Sequence, residues 1–117
     1  MKKKYGKIIH IYDPIFKINF YAVKGGSFKK FAEIMKKQLK IDLGEEKVDG
    51  KFIVITNGGI DIGLIWGKRK GELIHECLHA TVWALESKGI NMSKETDEVY
   101  AYYQQFLLNG LDGKGEK

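Results

Sequence analysis

Two runs near the start of the chain, residues 5–12 and 15–23, are dense in β-branched and aromatic side chains and are separated at Asp13-Pro14. Proline cannot donate to a sheet ladder, so this pattern predicts two strands joined as a hairpin. Gly25-Gly26 ends the second run, and Ser27 is placed to cap a helix over residues 28–40. Phe28, Phe31, Ile34, Met35 and Leu39 recur at helical spacing, with Lys29, Lys30, Lys36 and Lys37 between them. Such a stripe belongs against a core. A polar turn over 44–50 leads to two further β-rich runs, 51–56 and 60–66, around Asn57-Gly58-Gly59, a strong hairpin signal. A helix is predicted over 71–88 with Gly89 as its left-handed stop. Its apolar residues, among them Leu73, Ile74, Leu78, Val82 and Leu85, run nearly all the way round, which predicts a central, buried helix. Ser93 reads as the cap of a last helix reaching Leu108 and closed by Asn109-Gly110, with Glu95 and Asp97 in the first turn, where the helix dipole favours acids.

The order β-β-α-β-β-α-α predicts an α+β fold, a small antiparallel or mixed sheet packed with three helices. One domain is expected over residues 1–110, and residues 111–117, glycine and charge, are expected to form a disordered tail.

Composition narrows the setting. The 117 residues are 44% hydrophobic and 12% aromatic, enough to bury a core and offset the entropy of ordering. A lone cysteine, Cys77, cannot form an intramolecular disulfide and fits a reducing compartment, so a cytoplasmic location is expected. The basic start is followed by an apolar run, 8–12, that contains His10 and stops at Asp13, which is too short for an export signal. No stretch reaches the roughly 18 apolar residues of a membrane span. Of the net charge of +5, Lys2, Lys3, Lys4 and Lys7 account for four. This is a basic arm on a nearly neutral body. With Arg69 the only arginine, the residue best suited to bidentate phosphate and guanine contacts is scarce, and nucleic acid is not an expected partner.

The chemistry lies in His75-Glu76-Cys77-Leu78-His79, an H-E-x-x-H arrangement. Histidines four apart project from one helical face and can share an ion, and the glutamate between them is placed to act as a general base on a water there. Chance would supply roughly 0.006 such matches in a chain of this composition. The plainer alternative makes both histidines core residues bonded to neighbouring carbonyls. Against it, burying polar His75, Glu76 and His79 in an otherwise apolar helix without partners would cost several kcal/mol, a difficulty a bound cation removes. Zinc is the expected ion, and a zinc site needs a third protein ligand. Glu86, Glu95, Asp97 and Glu98 are the downstream candidates. Glu86 lies about 10 Å farther along the same helix than His79, too far to join it. Glu98 in the last helix fits best, with Ala101 one turn on allowing close helix approach, although a solvated first-turn acid is its plainer reading. By axial distance His79 lies about 13 Å back from Lys88 and Glu98 about 8 Å on from Ser93, a mismatch that the turn or a crossing angle must absorb.

His75-Glu76-x-x-His79 followed by Glu98-x-x-Ala101 resembles the gluzincin branch of zinc metallopeptidases, in particular small zincin-like proteins of phages and mobile elements and peptidases that cleave phage-type repressors. The resemblance covers roughly residues 50–108. It implies His75, His79 and Glu98 as zinc ligands, Glu76 as catalytic base and proton shuttle, and residues 60–66 as a strand that holds an extended peptide by edge pairing. The pattern departs from the metzincin extension, which would need glycine at Val82 and histidine at Leu85. The oxyanion-stabilising histidine of larger gluzincins has no counterpart, since the remaining histidine is His10. Tyr100, Tyr102 or Tyr103 can donate instead, with Tyr102 favoured one turn beyond Glu98, and Asp97 can orient a histidine. Cys77, on the other face, reads as a small core residue. The expected function is zinc-dependent hydrolysis of a peptide bond in a peptide or protein substrate. The alternative is a catalytically inactive zincin-like metal-binding protein that engages a protein partner.

Overall fold

The computed structural model describes residues 7–112. The expected start of the first strand at Tyr5 and the last five residues of the expected tail lie outside the described residues. Strand β1 (Ile9–Asp13) and strand β2 (Ile18–Lys24) pair antiparallel. The turn between them is longer than the proline alone predicts, because the buried Asp13 carboxylate accepts from the backbone N–H groups of Ile15, at 2.8 Å, and Phe16, at 3.2 Å. These two amides are thereby withheld from the ladder, and β2 starts at Ile18. Ser27 caps helix α1 (Phe28–Ile34), its hydroxyl accepting from Lys30 N–H at 3.2 Å, as its position before the apolar stripe predicts. The helix widens to a π-helical turn over Met35–Leu39 and stops at Lys40 in the left-handed region. Strands β3 (Gly50–Asn57) and β4 (Ile60–Gly67) form the second antiparallel hairpin. Helices α2 (Lys70–Glu86) and α3 (Asp97–Leu111) follow.

The sheet order is β1-β2-β4-β3, with β2 and β4 parallel, so the fold is α+β with a mixed four-stranded sheet and three helices. Alternation along the inner strands builds two cores. Ile18, Phe20, Ala22 and Ile65 face α2 and α3, meeting Leu73, Cys77, Ala80, Ala84, Leu107 and Leu111. Val23, Leu64 and Trp66 face α1, meeting Phe28, Phe31, Ile34 and Met35. Trp66 stacks on Phe31 and satisfies its indole N–H on the Gly25 carbonyl at 2.7 Å. Close approach is set by glycine: a Cβ at Gly67 would collide with the backbone of Leu73, so β4 can pass directly under the first turn of α2. No helix among the described residues is long and apolar enough to cross a membrane.

Three expectations change. First, α2 is not buried all round. Its inner face is Leu73, Cys77, Ala80, Thr81, Ala84 and Leu85, while Ile74 and Leu78 remain exposed. Second, α3 starts at Asp97 and not behind Ser93, because the Thr96 hydroxyl accepts from Ser93 N–H at 2.9 Å and donates to the Asn91 carbonyl, holding this stretch in a tight turn. Third, Asn109-Gly110 does not close the helix. Gly110 is buried, and a Cβ there would lie 2.8 Å from the Ile11 side chain, so this glycine serves the packing of α3 on β1 and the helix runs on to Leu111.

Candidate metal and catalytic site

The inner face of α2 fixes the rotation of the helix, and with it the direction of every other side chain. His75 and His79 stand about half a turn round from Cys77 and Ala84, so anchoring those two on the sheet turns both imidazoles to solvent. The Nε2 atoms of His75 and His79 lie 3.1 Å apart, with ring centroids at 4.7 Å and planes at 84°. Two nitrogens bound at 2.0–2.1 Å to one tetrahedral zinc would be roughly 3.3 Å apart. The pair therefore fits a shared ion with little adjustment. Because both histidines are exposed, the cost of burying them plays no part, and the case for a metal rests on this spacing instead.

Glu76 is half-buried on the flank of α2 that meets the edge strand. Its carboxylate lies over Gly50, where an added Cβ would come within 2.9 Å of Oε2, so the missing side chain at the first residue of β3 is what admits it. An open groove of about 760 Å³ runs along this boundary, with Gly50, Lys51 and Phe52 on one side and Glu76, His79 and Trp83 on the other. Trp83 is held by ring contacts with Phe52 at 5.7 Å and Phe20 at 6.2 Å. The strand bordering the groove is β3, not β4. From Ile62 on, this strand pairs with β2 on one side and β3 on the other, leaving no edge for a peptide there, whereas β3 is the last strand of the sheet. The expectation of edge pairing on 60–66 is corrected accordingly. Gly50 and the β3 edge carried no distinguishing signal in the sequence, where Gly50 reads as the close of a polar turn.

The other expected residues are placed as follows. Glu98 is exposed in the first turn of α3, and no group of three or more His, Cys, Asp or Glu side chains among the described residues is gathered closely enough to hold an ion. The structure thus brings His75 and His79 together and leaves Glu98 apart. The reason is axial: His79 lies seven residues, about 10 Å, before the end of α2, and Glu98 is the second residue of α3, so antiparallel packing sets Glu98 beside the far end of α2. Glu86, Glu95 and Asp97 are exposed as well. Of the three tyrosines, Tyr100 donates to the Ile90 carbonyl at 2.6 Å and Tyr103 to Asp13 Oδ2 at 2.7 Å. Burial, reinforced by the Asp13 carboxylate, raises the Tyr103 phenol well above its ordinary range. Both serve packing. Tyr102 is 71% exposed with no hydrogen-bond partner among the described residues, the one phenol of the three left to meet a ligand. Cys77 is buried, and desolvation, with the neighbouring Glu76 charge adding to it, pushes its thiol up to about 12. It is an inert core residue, neither ligand nor nucleophile.

Glu98 is separable from its neighbours by experiment. If a shift of α3 along α2 brings it onto the histidine pair, it contributes a bond directly, and Glu98→Ala should then weaken zinc binding by more than about tenfold while Glu95→Ala and Glu86→Ala leave it nearly unchanged. Zinc competition titrations read this, and equal small effects at all three positions would remove Glu98 from the ligand set. The chain matches no family model, and no curated protein or solved structure is significantly similar to it.

Proposed function

We propose that this chain is a zinc-dependent metallopeptidase of the small zincin-like kind carried by phages and mobile elements, acting in the cytoplasm on a peptide or protein substrate. The observation that carries the reading is the His75–His79 pair, 3.1 Å between Nε2 atoms, beside a half-buried Glu76 on a groove that ends at a free strand edge. His75 and His79 would hold the metal; Glu98, which stands apart from them in this arrangement, is the proposed third ligand and would reach the ion by a shift of α3 along α2. Zinc in such a site supplies a Lewis acid that brings the pKa of water toward neutrality and polarises a carbonyl. The protein's own groups do the rest. The outer backbone N–H and C=O groups of β3 pair with an extended peptide and lay its scissile bond along α2. Glu76 takes the proton of the attacking water and returns it to the leaving amine. Tyr102 is the proposed donor to the developing oxyanion.

The inactive binding-protein reading is favoured by one observation, the exposure of apolar Ile74 and Leu78, 38% and 42%, on the same helix as the histidines. The two part on turnover. Incubated with a broad peptide library, zinc-loaded protein is expected to give defined cleavage products, read by mass spectrometry, that disappear when a chelator is added. Metal bound at one equivalent with no product in either sample would defeat the peptidase reading and leave the binding protein standing.

A further inference from the structure

Strands β2 and β4 run parallel as neighbours, yet the helices after them leave for opposite faces of the sheet. α1 packs against Val23, Leu64 and Trp66, and α2 against Phe20, Ala22 and Ile65. Where adjacent parallel strands part in this way, neither following loop covers their carboxyl ends, and a crevice is left there. In this protein the crevice has a volume of about 620 Å³ and opens between the ends of β2 and β4, the start of α2 and the last turns of α3. That is within the size range of small-molecule sites. It lies off the β3 groove, around the other flank of α2.

The crevice is lined by four cations, Lys24, Lys68, Arg69 and Lys70, against one acid, Asp112. Arg69 is committed to Glu72, at 2.6 Å, and to Asp49, at 3.2 Å, and the Lys24 ammonium donates to the Leu111 carbonyl at 3.2 Å. Lys68 and Lys70 have no ion-pair partner among the described residues. Beside them Leu73, Ile74 and Leu108 give the crevice an apolar wall. We propose that this crevice binds a phosphorylated small molecule of nucleotide size, with its phosphate on Lys68, Lys70 and Lys24 and its uncharged body on the apolar wall. Three lysines lining one crevice match a dianion better than a single carboxylate, which would leave most of the positive charge unpaired. The apolar wall and the volume select a ligand larger than inorganic phosphate.

Adenosine monophosphate is the probe, with adenosine and a single-stranded oligonucleotide alongside, titrated by calorimetry and amide chemical shifts with chelator present so that the histidine pair holds no metal. The mononucleotide is expected to bind saturably, adenosine to bind far more weakly, and the Lys68→Ala/Lys70→Ala double variant to lose affinity by about tenfold or more with its fold intact by circular dichroism. The Lys29→Ala/Lys36→Ala pair, on α1 and the π-helical turn that follows it, across the sheet, should bind as wild type does. No saturable binding, or an affinity that the Lys68/Lys70 variant leaves unmoved, overturns the proposal. An oligonucleotide that binds where the mononucleotide does not overturns it equally, because the surface would then track a nucleic-acid backbone.

Discussion

Glu76→Gln is expected to keep the fold and the metal and to lower peptide cleavage by about 10²–10⁴-fold, the usual worth of a positioned general base. Each half of that expectation follows from where Glu76 sits. The carboxylate is not paired with either histidine. It lies over Gly50 on the flank of α2, so an amide of nearly the same shape fills the same space and leaves both imidazoles at their 3.1 Å spacing. What the amide lacks is a lone pair basic enough to take a proton from water. Product formation should therefore fall while elemental analysis still finds one zinc per chain. Identical product profiles from wild type and variant, with metal in both, would mean that Glu76 moves no proton. A variant that lost its metal would mean instead that the carboxylate belongs to the ligand set.

The elements of this fold were legible where local pattern decides them, and less so where distant pairing does. The β3–β4 hairpin is written in Asn57-Gly58-Gly59 between two β-rich runs, and Ser27 marks the start of α1 as its hydroxyl bond confirms. The parallel pairing of β2 with β4 is a contact between hairpins, and nothing local specifies it. A clue was present in Gly63-Leu64-Ile65-Trp66-Gly67, all buried, since a run that is apolar without alternation marks a strand covered on both faces. Read that way, residues 60–66 belong inside the sheet and cannot be the peptide-binding edge. The reading of α2 as buried all round failed for a related reason. Apolar residues on every side state only that the helix has no strongly polar face, and the close contact of Leu73 with Gly67 and the small residues Ala80 and Ala84 decide which side meets the sheet. At Gly110 the sequence offers an ordinary helix stop, and only the proximity of Ile11 shows why glycine is there.

The candidate site divides along the same line. That His75 and His79 share a face follows from their spacing alone, and the structure places them so. Where Glu98 lies relative to them depends on the length of the 87–96 connection and on how far α3 slides along α2, neither of which spacing within one helix can specify.

His75→Ala and His79→Ala are each expected to reduce zinc affinity by more than about a hundredfold, beyond the 10–100-fold typical of partners one step removed from the metal. They should do so without harming the metal-free protein. Both side chains are exposed, and surface substitutions of this kind move stability by only about 0.5 kcal/mol in either direction. The difference appears when zinc is added. A ligand that binds only the folded state at a hundred times its dissociation constant adds about 2.7 kcal/mol of stability. Wild type should therefore melt at a higher temperature with zinc than with chelator, and the two variants at nearly the same temperature in both. His10→Ala supplies the control. His10 bonds to Asn19 at 2.7 Å and stacks on Tyr21 in the β1–β2 hairpin, so its loss should leave the zinc-dependent shift whole. Elemental analysis and melting curves together decide the matter. Wild-type protein that takes up no zinc after reconstitution at neutral pH, or a zinc shift that survives in both histidine variants, would show that the pair is a surface feature of α2 and not a metal site.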